Sequence, residues 1–421
     1  MHLTNKLMYL FLIVFITVST LNLYSQIKPL TKPGIDNLVE SDFEILKGKN
    51  IVLLTNHAGR TSSGELTVEA FLNTDVCRII AVMAPEHGFY TTVPAGKHVK
   101  DDNIFGLPVY SLYGKNRKPV FSQLEECNAV VIDIQEIGVR SYTYISTVFR
   151  TMQSCAEYNL PVYILDRPNP LGGLIVDGNI VDKGKESFVG IIPVSYIHGC
   201  TIGELARMIN GEGWLSKDKD VNDKCDLTVI KMKNWERRMQ WEDTGLNWYP
   251  TSPHVPTVNA VRGIAMQGIF GELGIISIGI GTTLPFQYIG SPDLDIKAVE
   301  KELGTLSMHG VTLNPVKYQP FYGMYSGKQC KGFLFTFPID NLFAPYSTGI
   351  RLYAALNKIY PSMFKTKSIP GKAQLMFSKV TGTDDILDAF INKKSTEEIL
   401  LIARKGLDDF MLIREKYLLY K

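Results

Sequence analysis

The sequence predicts an α/β fold, with a Rossmann-like, doubly wound and mostly parallel sheet followed by a second, smaller α+β domain. In the first half of the chain, short apolar runs recur without polar alternation, as strands buried on both faces of a parallel sheet require. Segments with helical periodicity separate these runs, which is typical of successive β-α-β units. A stretch rich in proline and aromatic residues at 247–257 then indicates the passage to the second domain.

The first domain is predicted to occupy residues 27–250. Its strands are expected at 51–54, 78–84, 130–134 and 161–165. Its helices are expected at 65–73, 144–158 and 201–211, the last beginning with a capping box of threonine and glutamate. In the second domain, residues 255–421, the pattern predicts a strand at 332–337 and helices at 347–360 and 396–417.

Composition and charge are those of an ordinary globular protein. Of the 421 residues, 45% are apolar and 20% are charged. The net charge is +2 and no basic run is present, so we expect no nucleic-acid partner. Six cysteines occur without a CxxC pair, and we expect buried reduced thiols, with one disulfide left open.

The first residues predict a signal peptide at 1–25. Lys6 precedes an apolar run at 7–18 that is too short for a comfortable membrane span, and cleavage is expected before Gln26. The mature protein is therefore expected to be periplasmic or secreted, without stable membrane insertion. An uncleaved membrane anchor is the alternative.

Polar residues follow each of the four predicted strands of the first domain. In an open parallel sheet the carboxyl ends of the strands share one edge, and ligands bind in the crevice outside that edge. We therefore expect residues that are distant in sequence to meet in one cleft. These clusters are Asn56 with His57, Glu86 with His87, the run from Gln135 to Arg140, and the run from Asp166 to Asn169.

Among these residues, Glu86 is the strongest candidate for chemistry. It lies between a proline and a histidine at the end of an apolar strand, where partial burial would favour a protonated carboxyl group, as general acid catalysis requires. Asn56 and His57 have a simpler interpretation as helix caps, and Asp166 and Arg167 as an ion pair. No HExxH, GxSxG or GxxxxGK motif occurs, so neither a metal nor an organic cofactor is predicted.

At these same residues the sequence resembles the NamZ family of bacterial exo-β-N-acetylmuramidases, from about Gly34 to the C-terminus. The resemblance implies a Rossmann-like domain and a smaller C-terminal domain with the active site in the cleft between them. It also implies an exo-acting glycosidase that removes β-linked N-acetylmuramic acid from the non-reducing end of muropeptide-derived glycans. The matching stretches include PEHGF at 85–89 and DIQEIGVRSYTY at 133–144, with others at 34–36, 54–59, 165–173, 198–206, 252–257 and 281–286.

The resemblance also implies roles for individual residues. Glu86 matches the family's prime catalytic glutamate and would be the general acid, while Glu136 or Asp166 would supply the second carboxylate, with Glu136 preferred. The lactyl carboxylate of muramic acid calls for a cation, for which Arg140 or Arg167 is available. The other expected substrate-binding residues are Asn56, His57, His87, Tyr142, Tyr144, Asn169, His198, His254 and Glu272.

Three departures from the family pattern leave alternatives open. Glu136 stands where aspartate is usual, His254 stands where asparagine is usual, and the segment 275–280 is apolar where the family carries asparagine and arginine. A hydrogen bond lost from a sugar pocket changes specificity strongly. A paralogue acting on another amino sugar and a non-catalytic cell-wall glycan-binding protein are therefore the alternatives to a muramidase. Hydrolysis of an ester or amide ranks last, since no nucleophile motif is present.

Overall fold

A computed structural model describes residues 29–216, 224–304, 308, 310–337 and 342–421. The predicted signal peptide at 1–25 lies outside the described residues. In the part of the chain that is described, no helix is long and apolar enough to cross a membrane.

Within the described residues, the first domain is built on a seven-stranded sheet. Its strands lie in the order β3-β4-β2-β1-β5-β6-β7, and neighbours run parallel except for β3 and β4. This arrangement confirms the predicted doubly wound, mostly parallel sheet. The strands are β1 (Asn50–Thr55), β2 (Arg78–Ala84), β3 (Asp102–Ile104), β4 (Leu107–Ser111), β5 (Ala129–Asp133), β6 (Val162–Leu165) and β7 (Leu227–Ile230).

Helices cover both faces of this sheet, and the central strand β1 shows how the residues divide between them. Ile51 and Leu53 are buried in one core, whereas Val52 and Leu54 are buried in the other. Burial on both faces explains the unbroken apolar runs of the sequence. One face carries α1 (Gly34–Glu40) and α2 (Thr67–Leu72), and the other carries α3 (Tyr144–Tyr158) and α4 (Ile202–Gly211).

The second domain contains a three-stranded antiparallel sheet, again counting the described residues, with the strand order β8-β10-β9. Its strands are β8 (Tyr288–Ser291), β9 (Thr312–Tyr318) and β10 (Cys330–Thr336). Its helices are α5 (Val258–Gly271), α6 (Ile296–Leu303), α7 (Pro345–Ile359), α8 (Gly371–Thr381), α9 (Asp385–Ile391) and α10 (Thr396–Ile402). Short 3₁₀ helices lie at Glu44–Leu46, Phe121–Gln123, Trp241–Thr244 and Thr366–Ser368.

The end of the chain returns to the first domain. Helix α11 (Leu407–Glu415) buries Leu407 and Phe410 in the core beneath α3 and α4. Beyond it, the backbone N–H of Leu419 donates to Glu204 over 2.8 Å, and the carbonyl of Lys421 accepts from the Arg237 N–H over 2.8 Å. The last residues therefore complete the packing of the first sheet.

The structure differs from the sequence prediction at the end of the second domain. The single helix expected at 396–417 is two helices, α10 and α11, because Gly406 adopts a left-handed conformation with φ of 77° that a continuing helix does not allow. All six cysteines are buried free thiols. The domain boundaries expected at 250 and 255 stay a prediction.

Candidate active site

The polar clusters that follow β1, β2, β5 and β6 lie together at the carboxyl-terminal edge of the first sheet. Hydrogen bonds connect several of them. The side-chain amide of Asn56 donates to the Tyr144 hydroxyl over 2.9 Å, and Arg167 donates to the backbone carbonyl of Arg60 over 2.7 Å. Gln135 likewise donates to the Pro168 carbonyl over 2.9 Å. Residues that are far apart in the sequence are thus neighbours in the structure.

Glu86 is held firmly at the end of β2. Its side chain is only 6% exposed. Oε1 accepts from the backbone N–H of Gly96 over 2.8 Å, and Oε2 accepts from the Thr143 hydroxyl over 2.6 Å. The Tyr113 hydroxyl is also hydrogen-bonded to Glu86, and burial together with the negative charge of Glu86 raises the pKa of that tyrosine. The carboxyl group is therefore fixed in orientation by donors from three different segments.

A second carboxyl group approaches Glu86 from the other domain. Glu272 lies at the carboxyl end of α5 with its side chain exposed. Desolvation of its carboxyl group by neighbouring protein atoms, followed by the negative charge of Glu86, raises the pKa of Glu272 above its ordinary value. The charge of Glu86 in the first domain therefore reaches the carboxyl group of Glu272 in the second.

Three of the predicted histidines are partly or fully buried: His57 follows β1, His87 follows β2, and His254 lies three residues after Thr251. Burial is the main cause that lowers the pKa of His57, His87 and His254, so their imidazoles are neutral at neutral pH. His87 has a left-handed backbone with φ of 74°, and its Nδ1 donates to the Val93 carbonyl over 2.7 Å. A positive charge on His87 would lower the pKa of His254 further, so the two imidazoles lie near each other. The Nδ1 atom of His57 is hydrogen-bonded to the Thr91 hydroxyl over 3.1 Å, and Nε2 of His254 to the Tyr322 hydroxyl over 3.0 Å.

Tyr142 lies beside Glu86, whereas Tyr144 and Asn56 are buried beneath it. The half-buried Tyr142 donates to the Thr251 hydroxyl over 2.8 Å, and its ring meets that of Tyr144 edge-on at 4.6 Å. The Tyr144 hydroxyl donates to the Thr251 carbonyl and accepts from Asn56. Asn56 also accepts from the Ala58 N–H over 3.0 Å. The predicted substrate contacts of Asn56 and Tyr144 are therefore revised: both side chains are fully buried and support Thr251 and Tyr142.

Glu136, expected to be the second catalytic group, is instead 3% exposed in the loop after β5. Oε2 accepts from the Gly138 N–H over 2.6 Å and lies 3.5 Å from Nε2 of His198, which is fully buried. His198 Nδ1 accepts from the Cys200 N–H, so the neutral ring carries its proton on Nε2 and directs it toward Glu136. Both residues are buried and their contacts stabilise the loop, and a catalytic role for Glu136 stays a prediction.

Arg140 also departs from its predicted role. Its fully buried guanidinium donates to the carbonyls of Asn179 over 2.5 Å and Val194 over 2.8 Å. It donates as well to the carbonyls of Thr381 over 2.6 Å and Val380 over 3.3 Å, at the end of α8. Burial lowers the pKa of Arg140 to about 10. These contacts connect the two domains. Arg140 therefore has a structural role instead of the expected binding of a substrate carboxylate.

The cluster after β6 is largely occupied by protein contacts. Arg167 pairs with the buried Asp133, with Nε 2.5 Å and Nη2 2.7 Å from its two oxygens, rather than with Asp166. Nη1 of Arg167 has no hydrogen-bond partner in the described ranges. Asn169 donates to the Cys200 carbonyl over 3.0 Å and accepts from the Leu171 N–H over 2.9 Å. The predicted contact of Asn169 with substrate is therefore revised to the support of its loop.

Asp166 is likewise a structural group. It is fully buried and accepts from the hydroxyls of Thr201 over 2.8 Å and Tyr420 over 2.6 Å. It also accepts from the N–H groups of Gly203 over 2.8 Å and Arg167 over 3.0 Å. The sequence predicts Asp166 to be a substrate-binding or catalytic carboxylate. In the structure four protein donors bind its two oxygens instead.

Replacing Tyr420 with phenylalanine is expected to destabilise the fold more at about pH 9 than at about pH 5. Burial raises the pKa of Asp166 to about 7, and the Tyr420 hydroxyl opposes this rise by donating to the carboxylate. Loss of this hydrogen bond raises the pKa of Asp166 in the folded protein further. The substitution therefore lowers the free energy of unfolding at pH values where Asp166 is ionised in the folded protein. Urea unfolding measures the loss in free energy of unfolding caused by the substitution. This loss should be about 1–2 kcal/mol larger at pH 9 than at pH 5.

Tyr417→Phe is the matched control for this experiment. The Tyr417 hydroxyl, in the same tail, donates to Glu212 over 2.7 Å rather than to Asp166. The Met232 N–H also donates to Tyr420, and losing that bond costs the same free energy at both pH values. A Tyr420→Phe loss that does not change with pH would contradict the expected interaction with Asp166.

The sequence interpretation missed several residues that surround Glu86. Thr143 lies between Tyr142 and Tyr144 in the matching stretch at 133–144, and this position is the sequence signal that could have identified its contact with Glu86. Tyr113 and Thr251 follow no predicted strand, so no pattern marked them. In the described part of the chain, no three His, Cys, Asp or Glu side chains are grouped as a metal site would require.

Comparisons with known proteins agree with this architecture. The N-terminal family model described as exo-β-N-acetylmuramidase NamZ matches residues 51–259, and the C-terminal model matches residues 264–420. The chain is 36% identical over 395 residues to the peptidoglycan β-N-acetylmuramidase NamZ of Bacillus subtilis (strain 168), covering 93% of this chain and 92% of that protein.

Two solved structures share the fold, and both are DUF1343 family proteins from Bacteroides fragilis NCTC 9343. One has a TM-score of 0.86 at 36% identity, and the other has a TM-score of 0.71 at 28% identity. Each match covers 93% of this chain and 99% of the compared chain. Together with the two family models, which match most of the sequence, these similarities confirm the resemblance: the chain belongs to the exo-β-N-acetylmuramidase NamZ family.

Proposed function

We propose that this protein is an exo-acting β-N-acetylmuramidase that releases terminal N-acetylmuramic acid from peptidoglycan fragments. The observation that carries the proposal is the buried carboxyl group of Glu86, held by Thr143 and Gly96 and faced by Glu272 from the second domain. The relative from Bacillus subtilis is named for the same activity. A fixed acid beside a second carboxyl group is the arrangement that hydrolysis of a glycosidic bond requires.

In this proposal Glu86 donates a proton to the glycosidic oxygen as its bond to the anomeric carbon breaks. The leaving sugar departs as a neutral alcohol, and water supplies the hydroxyl group of the released N-acetylmuramic acid. The proton that this water loses replaces the one that Glu86 gave up, so the acid is restored for the next turnover. In this proposal Glu272 rather than Glu136 is the second carboxyl group, because Glu272 is exposed and the charge of Glu86 acts on it, whereas Glu136 faces His198. His57, His87, His254 and Tyr142 would hydrogen-bond the sugar.

The apolar segment that suggested a change of activity has a structural explanation. Ile276 and Ile278 are buried, and Ile276 packs in the core of the second domain. Ser277 exchanges backbone hydrogen bonds with Gly290 of β8, over 3.1 Å in each direction. This segment therefore continues the small sheet, and its side chains stabilise the domain that carries Glu272.

We further propose that the protein acts outside the cytoplasm, in the periplasm or after secretion. The support is the amino-terminal segment, in which a lysine precedes a short apolar run and a polar cleavage region. A glycan of the cell wall is found in the same compartment. Edman sequencing of the mature protein exported by its host would test this proposal, and an amino terminus at Met1 would contradict signal cleavage.

The activity is tested with two peptidoglycan glycans that differ in the sugar at the non-reducing end. The purified protein should release free N-acetylmuramic acid from the glycan that ends in muramic acid. It should release sugar from the matched glycan that ends in N-acetylglucosamine much more slowly, because an exo-acting enzyme hydrolyses only the terminal residue and that residue lacks the lactyl group. Mass spectrometry of the products distinguishes the two. Binding of the first glycan in calorimetry without any product would contradict the proposal and favour a glycan-binding protein.

A further inference from the structure

Arg117 is an exposed cation that is nevertheless held in place beside the candidate active site. Its guanidinium carbon lies 4.4 Å from the ring centre of Phe188 and 5.0 Å from that of Tyr113. The two rings are themselves in contact, with 6.0 Å between their centres. Stacking on aromatic faces restricts the guanidinium without using its N–H groups as hydrogen-bond donors.

Both aromatic rings connect Arg117 to Glu86. The Tyr113 hydroxyl is hydrogen-bonded to Glu86, and the charge of Arg117 acts on the same hydroxyl. The backbone carbonyl of Phe188 accepts from Ser146 over 2.7 Å, in the first turn of α3. Thr143, which donates to Glu86, immediately precedes that helix. The guanidinium is therefore anchored to the two segments that also orient the catalytic acid.

Three other arginines of the first domain donate hydrogen bonds to protein groups. Arg140 is fully buried among carbonyl groups, and Arg167 pairs with Asp133. Arg60 donates to the carbonyls of His57 over 2.9 Å and Gly64 over 2.6 Å. Arg117, in contrast, has neither a hydrogen bond nor an ion pair with any residue in the described ranges. Its full set of donors is available to a ligand.

We propose that Arg117 binds the lactyl carboxylate of the N-acetylmuramic acid ring whose glycosidic bond lies at Glu86. This inference rests on the proposed function. The lactyl group is attached two ring atoms from the anomeric carbon, so a sugar placed at Glu86 carries its carboxylate toward one flank of the site. A guanidinium on that flank pairs with a carboxylate through two parallel hydrogen bonds. Arg117 thereby distinguishes muramic acid from glucosamine, which lacks the lactyl group.

The test compares three chromogenic β-glycosides: N-acetylmuramic acid, its lactyl methyl ester and N-acetylglucosamine. Each is assayed with wild type, Arg117→Gln, Arg117→Lys and the control Arg78→Gln. Arg78 is an exposed arginine at the opposite, amino-terminal end of β2. Thermal unfolding verifies that each variant folds, which is expected because the Arg117 side chain is exposed.

We expect Arg117→Gln to lower kcat/KM for the muramic acid glycoside by roughly 10- to 100-fold, as the loss of a charge-assisted hydrogen bond does. The same variant should leave kcat/KM for the methyl ester and the glucosaminide unchanged. Arg117→Lys should restore part of the loss, since a point charge remains without the planar fork. Arg78→Gln should match wild type on all three substrates.

Two outcomes would overturn the role of Arg117 while leaving the proposed function intact. One is a wild-type kcat/KM for Arg117→Gln on the muramic acid glycoside. The other is an equal loss on the acid and its ester. If wild type itself turned over no muramic acid substrate, the proposed function would fail. Calorimetry with free N-acetylmuramic acid would then decide the binding role, and equal affinity of wild type and Arg117→Gln would overturn it.

Discussion

Replacing Glu86 with glutamine is expected to lower kcat for a natural glycan by about 10²- to 10⁴-fold, the usual effect of removing a general acid. The amide keeps the shape of the carboxyl group and still accepts from the Gly96 N–H, so the fold is preserved. The loss should be much smaller with a nitrophenyl leaving group. Nitrophenolate departs without a proton, whereas a sugar alkoxide does not. Steady-state kinetics on the two substrates measures the contrast.

Glu125→Gln provides the control for this charge change, since Glu125 is an exposed glutamate outside the site. It should retain wild-type kcat on both substrates. Equal turnover of the glycan by wild type and Glu86→Gln would show that Glu86 is not the acid. A large loss that is the same for both leaving groups would assign Glu86 to substrate positioning instead of proton donation.

Replacing Arg140 with methionine is expected to lower the free energy of unfolding by more than about 3 kcal/mol. Methionine fills part of the same space but leaves the buried carbonyls of Asn179 and Val194 without their donor. Each unsatisfied buried acceptor carries its own desolvation cost. Urea unfolding monitored by circular dichroism measures the change.

The enzymatic consequence separates this structural role from substrate binding. Active-site titration gives the folded fraction of Arg140→Met, and the ratio of kcat/KM for muramic acid and glucosamine glycosides should equal that of wild type. Arg140→Lys, which retains a donor, should be intermediate in stability. If Arg140→Met had wild-type stability and a lower kcat/KM on the muramic acid glycoside alone, Arg140 would be a substrate-binding residue.

The sheet was predictable from sequence where both of its faces are covered. In β1 and β5 every side chain from Ile51 to Thr55 and from Ala129 to Asp133 is buried, and this burial produces unbroken apolar runs. The strand β3 and the strand β7 lie at the edges and are partly exposed, so their sequences lack that pattern. The carboxyl-terminal edge could be predicted because parallel strands place their ends together.

The roles of single side chains at that edge were less predictable. Arg140 follows a strand as a ligand-binding residue would, but its partners Asn179 and Thr381 lie 39 and 241 residues further along the chain. No local pattern signals such distant carbonyls. Arg117 stands in a short charged turn, where a solvated side chain is the ordinary expectation. Its position over Tyr113 depends on the tertiary fold.

The segment at Leu419 and Lys421 imposes an order on biosynthesis. These residues make contacts with Glu204 and Arg237, which are synthesised about 200 residues earlier, and the contacts form only after the late segment has left the ribosome. The first domain therefore cannot complete its native contacts while the second domain is still being synthesised.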